Sequence, residues 1–81
     1  MKHITDIKDI VAGGDFYVRF KKDMIAPPGR ITSIQKVTSI GNFVFKDGEV
    51  WCDVAHMFMF YDFVGPIPVI TDHYFDQLLY R

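Results

Sequence analysis

The chain has 81 residues, 49% of them hydrophobic, 16% aromatic and 23% charged, with a formal net charge of −1. That composition excludes a disordered chain and predicts one packed domain, of a size that buries only about 60% of its unfolded surface. A single cysteine, Cys52, excludes an internal disulfide and a cysteine metal cluster, and no apolar run approaches the ~20 residues of a membrane-spanning helix.

The N-terminus lacks the apolar core of a signal peptide, so the expectation is a cytoplasmic protein read from a complete short frame. The near-neutral total hides a division. Residues 1–46 carry eight basic and four acidic side chains, a net of +4, whereas residues 47–81 carry six acidic and one basic, a net of −5. Such asymmetry marks either two separate binding surfaces or two halves that neutralise each other in the fold.

In chain order, Thr5 is placed to cap a short helix with Asp6 in its first turn, Ile7, Ile10 and Val11 at helical spacing, and Gly13-Gly14 as the stop. A strand over residues 10–12 is the alternative. From Asp15 to Lys22 the residues alternate, with Phe16, Val18 and Phe20 inward and Tyr17, Arg19 and Lys21 outward, which predicts a half-exposed strand with a basic outer face. Pro28-Gly29 suits the centre of a type II turn. Between Arg30 and Ile40 the β-branched residues favour a strand, and a bulge near Ser33 would bring both Ile31 and Ile34 inward.

The strongest local signal is Asp47-Gly48 between β-formers, a type I′ hairpin turn in which both central residues need φ > 0. The simplest register sets Lys46 opposite Glu49, Phe45 opposite Val50, Val44 opposite Trp51 and Phe43 opposite Cys52. Phe43, Phe45, Val50, Cys52 and Val54 then form the core face, and Val44, Lys46, Glu49, Trp51 and Asp53 the outer one. Trp51 on that outer face either packs beneath a terminal segment or contacts a partner. The apolar run from Val54 to Val64 admits either a strand or a short helix, since periodicity does not separate them. Gly65-Pro66-Ile67-Pro68 ends it, Val69 and Ile70 suggest an edge strand, and Thr71 or Asp72 caps a final helix with Tyr74, Phe75, Leu78 and Leu79 on its apolar face. The fold class expected is mainly β, with α+β as the variant: a small antiparallel sheet or barrel with a short helix at each end.

The succession Gly14-Asp15 before Val18-Arg19-Phe20-Lys21-Lys22, then Pro28-Gly29-Arg30-Ile31-Thr32-Ser33-Ile34, then Phe43-Val44-Phe45-Lys46-Asp47-Gly48-Glu49-Val50-Trp51 resembles the SH3-like small barrels of the KOW and Tudor type. It covers about residues 13–54. The resemblance implies a binding module that engages peptides, proteins or nucleic acid, and it brings no catalytic residue. The leading helix and the aromatic C-terminal third depart from the minimal barrel.

Catalytic signals are sparse. Cys52 and His56 would stand roughly 13 Å apart on an extended strand at ~3.3 Å per residue, out of reach for a thiol–imidazole pair, although helical spacing would bring them together. His3, His56 and His73 are scattered, and a metal site from Asp53, His56, Asp72 or His73 would need long-range convergence. The expectation is a non-enzyme without cofactor or metal. Two binding readings follow. In the first, the chain binds a protein partner stoichiometrically through Trp51, Phe58, Tyr61, Phe63, Tyr74 and Tyr80, rimmed by Asp62, Asp72 and Asp76, because so small a core can hardly bury that many aromatics. Self-association would hide the same surface. Size and composition also match small accessory proteins of phages and mobile elements that modulate or inhibit a host protein. In the alternative reading Tyr17, Arg19, Lys21, Lys22 and Arg30 hold nucleic acid, against which stands a pI near 6.2.

Overall fold

The computed structural model describes residues 2–29, 32–65 and 72–79, with Tyr74 described by its backbone only. Its elements are β1 (Lys2–Ile4), α1 (Ile7–Val11), β2 (Gly14–Phe20), β3 (Gln35–Ile40), β4 (Phe43–Lys46), β5 (Glu49–Asp53), α2 (Val54–Phe60), β6 (Tyr61–Gly65) and α3 (Asp72–Leu79). The six strands pair antiparallel in the order β1-β6-β2-β3-β4-β5. The expected β-rich antiparallel fold with a helix near each end is therefore present. Because β1 and β5 lie at opposite ends of that order, the described strands make an open sheet and not the SH3-like barrel. No helix among the described residues is long and apolar enough to cross a membrane.

Local chemistry explains most boundaries. The cap of α1 is Asp6, one residue later than expected, and its carboxylate accepts the Lys8 N–H at 3.0 Å. The preceding strand β1 had no sequence signal of its own; three residues cannot show a period, and pairing with β6 is what extends them. Asp53 caps α2 by accepting the His56 N–H at 3.0 Å, and this settles the ambiguous run: residues 54–60 are helix and residues 61–65 are strand. Asp47 and Gly48 have φ of 55° and 82°, as the type I′ turn requires. Gly29 has φ of 81° at the position the type II turn predicted. The strand after it starts only at Gln35, with no bulge near Ser33, and Ile31 and the edge strand expected at Val69 and Ile70 lie outside the described residues.

The hairpin register departs from the simplest one. Lys46 does face Glu49 and Phe45 does face Val50, but Val44 faces Cys52 and Phe43 faces Asp53, so Trp51 is the extra residue of a β-bulge. The two faces are also exchanged near the turn relative to the sequence reading: Val44 is fully buried, while Phe43 and Val50 are 50% and 59% exposed; beyond the bulge Cys52 packs against the core and Val54 is buried, as expected. The cause lies in the neighbouring strand. Val37 and Ser39 of β3 point toward the helices, and Ser39 pairs with Val44, which commits Val44 to that side. A hairpin alone does not say which of its faces a core will take.

The core lies between the sheet and the pair α1 and α2, and gathers Ile10, Phe16, Val18, Val37, Met57 and Phe63 with their neighbours. Trp51 packs against it with its ring edge-on to Tyr61, centroids 5.5 Å apart. The buried Ser39 hydroxyl donates to the Ile10 carbonyl at 2.6 Å and so ties α1 to the sheet. Beside Phe16, Gly65 leaves no room for a Cβ, which is why the end of β6 takes a glycine.

Candidate interaction surface

The opposite face of the sheet is divided in two. Over β2 and β6, α3 is docked on Arg19, which pairs with Asp62 across the strands and is only 3% exposed. A buried guanidinium is tolerated only when its charge is answered. Here Nη1 donates to Asp72 at 3.3 Å, Nη2 donates to Asp76, and the guanidinium carbon stands 4.6 Å from the centre of the buried Phe75 ring. Lys22 adds a 3.0 Å bond to Asp76. These bonds, the one from Arg19 first, hold the Asp76 carboxyl below the usual aspartate range. Asp62 responds in the other direction: burial pushes its carboxyl up, against the pull of His3, whose Nε2 is 3.6 Å away, of Lys21 and of Arg19.

Over β3, β4 and β5 no helix of the described residues lies on this face. Ile40 is paired with Phe43, and Phe45 with both Thr38 and Val50, so Ile40, Phe43, Phe45 and Val50 stand side by side. Three of the four are at least half exposed, Ile40 at 60%. Beside them a shallow groove of about 560 Å³ runs past Lys36, Thr38, Ile40, Phe45, Asp47 and Gly48. Isolated exposed apolar residues are ordinary on protein surfaces, but a contiguous set of large ones is the pattern of a contact surface. Asp47, Glu49 and Asp53 are exposed around it, and Lys46 is engaged with Asp47 at 3.1 Å.

The free edge of β5 is a poorer place for contact. In an antiparallel pairing of two such edges centred on Trp51, Glu49 would meet Asp53, and the bulge at Trp51 breaks the row of donors and acceptors.

Of the residues expected to bind a partner, Tyr61 and Phe63 are 2% and 0% exposed and belong to the core. They fall on the inward parity of β6, and the expectation that the aromatics exceed what the core can bury fails at these two positions. Trp51 and Phe58 are half-buried against the same core, with Trp51 beside Tyr61. Asp62 is half-buried beside His3, and Asp72 and Asp76 serve α3. The side chain of Tyr74 and all of Tyr80 lie outside the described residues. For the nucleic-acid alternative, Arg19 is buried beneath α3 and Lys22 is paired, so neither faces solvent as a bare phosphate-binding cation; Tyr17 and Lys21 are half-buried, and Arg30 lies outside the described residues. The two halves of the charge division thus meet at α3. Cys52 Sγ and the Asp53 carboxylate are 3.8 Å apart, and the other oxygen of that carboxylate is committed to the helix cap.

Phe43, Phe45 and Val50 were assigned inward by the sequence reading and form the open surface with Ile40 instead. The signal that could have found them is the Ser39–Val44 pairing, visible only once β3 is placed. No protein-family model, no curated protein and no solved structure matches this chain.

Proposed function

We propose that this protein is a small non-enzymatic interaction module that binds a protein partner stoichiometrically through the open half of its sheet. The observation that supports the reading is the contiguous exposed set Ile40, Phe43 and Val50 beside Phe45, on a face that the helices of the described residues leave uncovered. The fitting partner presents an apolar centre with basic side chains directed at Asp47, Glu49 and Asp53, since like charge there would be repelled and opposite charge steered in. An accessory role of the phage or mobile-element kind, inhibiting a host protein, is consistent with size and composition and rests on those alone.

The test compares capture from the native host by the wild type, by the double variant Phe43→Ser/Val50→Ser, and by Met59→Ser, which alters a residue of α2 that is equally exposed on the helical side. A partner recovered in stoichiometric amount by the wild type and Met59→Ser should be lost by the double variant, whose individual sites are each worth ~2 kcal/mol if they are hot spots. Capture indifferent to Phe43 and Val50 refutes the surface. A wild type that captures nothing and sediments as a dimer makes self-association the better account.

A further inference from the structure

We infer that the open half of the sheet is a seat for a basic amphipathic helix of another protein, laid beside α3. This rests on the proposed use of that half as a protein-binding surface, and it names the segment that the surface takes. Cross-strand pairing arranges the face in two rows: Asp53, Phe43 and Ile40 in one, and Val50, Phe45, Thr38 and Asp15 in the other. Its centre is three strands wide, about 10 Å at the usual strand spacing, and the half that α3 covers bounds it on one side. That is the width of a single helix. An isolated extended segment laid there would leave its backbone donors and acceptors unpaired against apolar side chains, whereas a helix satisfies its own. At the β5 edge, the bulge at Trp51 interrupts the ladder that an added strand would need.

Charge selects which helix. The rows end in carboxylates at opposite corners, Asp53 beyond Phe43 and Asp15 beyond Thr38, while Asp47 and Glu49 stand exposed at the hairpin turn. Against these acids stand only Lys36 and Lys46, and Lys46 is already engaged with Asp47. The neighbouring half has the opposite surround: there Arg19 and Lys22 are met by the acids of α3, so the two halves of one face call for helices of opposite charge. No described helix of this chain is basic. Ile7–Val11 balances one lysine with one aspartate, Val54–Phe60 has neither lysine nor arginine, and Asp72–Leu79 is acidic. A second copy therefore brings no matching helix among its described residues. The segment that fits has apolar residues at i, i+3, i+4 and i+7, a stripe of about 10 Å, with Lys or Arg on both flanks.

The experiment titrates synthetic peptides of about 14 residues, roughly four helical turns, into the isotope-labelled full-length protein, read by NMR and circular dichroism. The first carries leucine at the helical spacing with lysine flanks, the second is its isomer with leucine and lysine alternating at period two, and the third replaces the lysines of the first with glutamate. The first is expected to shift the amides of Ile40, Phe43, Phe45 and Val50, to gain helicity on binding, and to bind at least tenfold more tightly than the other two. Phe43→Ser/Val50→Ser should abolish its binding. Asp47→Asn/Glu49→Gln, which keeps a residue suited to the turn before Gly48, should weaken it at least threefold and flatten its salt dependence. The inference is overturned if no peptide binds, if either control binds as tightly as the first, or if the shifts fall on another surface. Such a result, with capture of the native partner still dependent on Phe43 and Val50, would remove the helix and leave the surface; capture indifferent to those residues would remove both.

Discussion

Tyr61 carries a hydroxyl that is buried with no hydrogen-bond partner among the described residues, while its ring is clasped edge-on by Phe20 and Trp51. The ring contributes packing and the oxygen a desolvation cost, so Tyr61→Phe should raise stability by ~1 kcal/mol, a shift of several degrees in Tm for a domain of this size. A thermal melt that falls instead would mean that the oxygen has a partner in solution. Asp76 and Asp62 make opposite contributions to the pH dependence of folding. Asp76 is held down by Arg19 and Lys22, so its contribution is complete above the ordinary aspartate value and is lost as the pH falls through its lowered one. Asp62 is raised by burial, so its contribution is largest in acid and declines as the pH rises through the window between its ordinary and raised values. Denaturant titrations from about pH 3 to 7 should therefore show Asp76→Asn with lower stability at neutrality and a shallower acid limb, and Asp62→Asn with neutral-pH stability equal to or above the wild type. Reversal of these two orders would contradict the assignment of the charges.

At the level of elements, legibility followed how local the determinant was. The Asp47-Gly48 turn, the Phe16-Val18-Phe20 face of β2 and the final helix were readable because turn chemistry and periodicity each act within a few residues. The split of residues 54–65 into α2 and β6 was half-legible: Asp53 with His56 three positions on is a capping geometry, but the apolar run conceals where the period changes. The faces of the hairpin were not legible. Phe43 and Phe45 look more core-like than Val44 by hydrophobicity, yet Val44 alone shares the parity of Val37 and Ser39, and the bulge then lets Trp51 and Cys52 approach the same core. The error propagated to function, because a hairpin read inside out assigns its open surface to the interior.

For the whole molecule, the charge division resolves into architecture. The acidic C-terminal helix answers Arg19 and Lys22, leaving the hairpin end of the sheet with the exposed acids Glu49 and Asp53 and with the exposed Ile40, Phe43 and Val50. One face of the sheet is closed by α1 and α2, and the other is half closed by α3. Under the proposed function, binding falls to the β3, β4 and β5 half. Hydroxyl-radical footprinting of the free protein and of its complex with the partner it captures tests this most directly. The account predicts that Ile40, Phe43 and Val50 become protected in the complex while Met59 and Ile25, exposed elsewhere, react as before. Protection of Met59 or Ile25 with Phe43 and Val50 still reactive would contradict it.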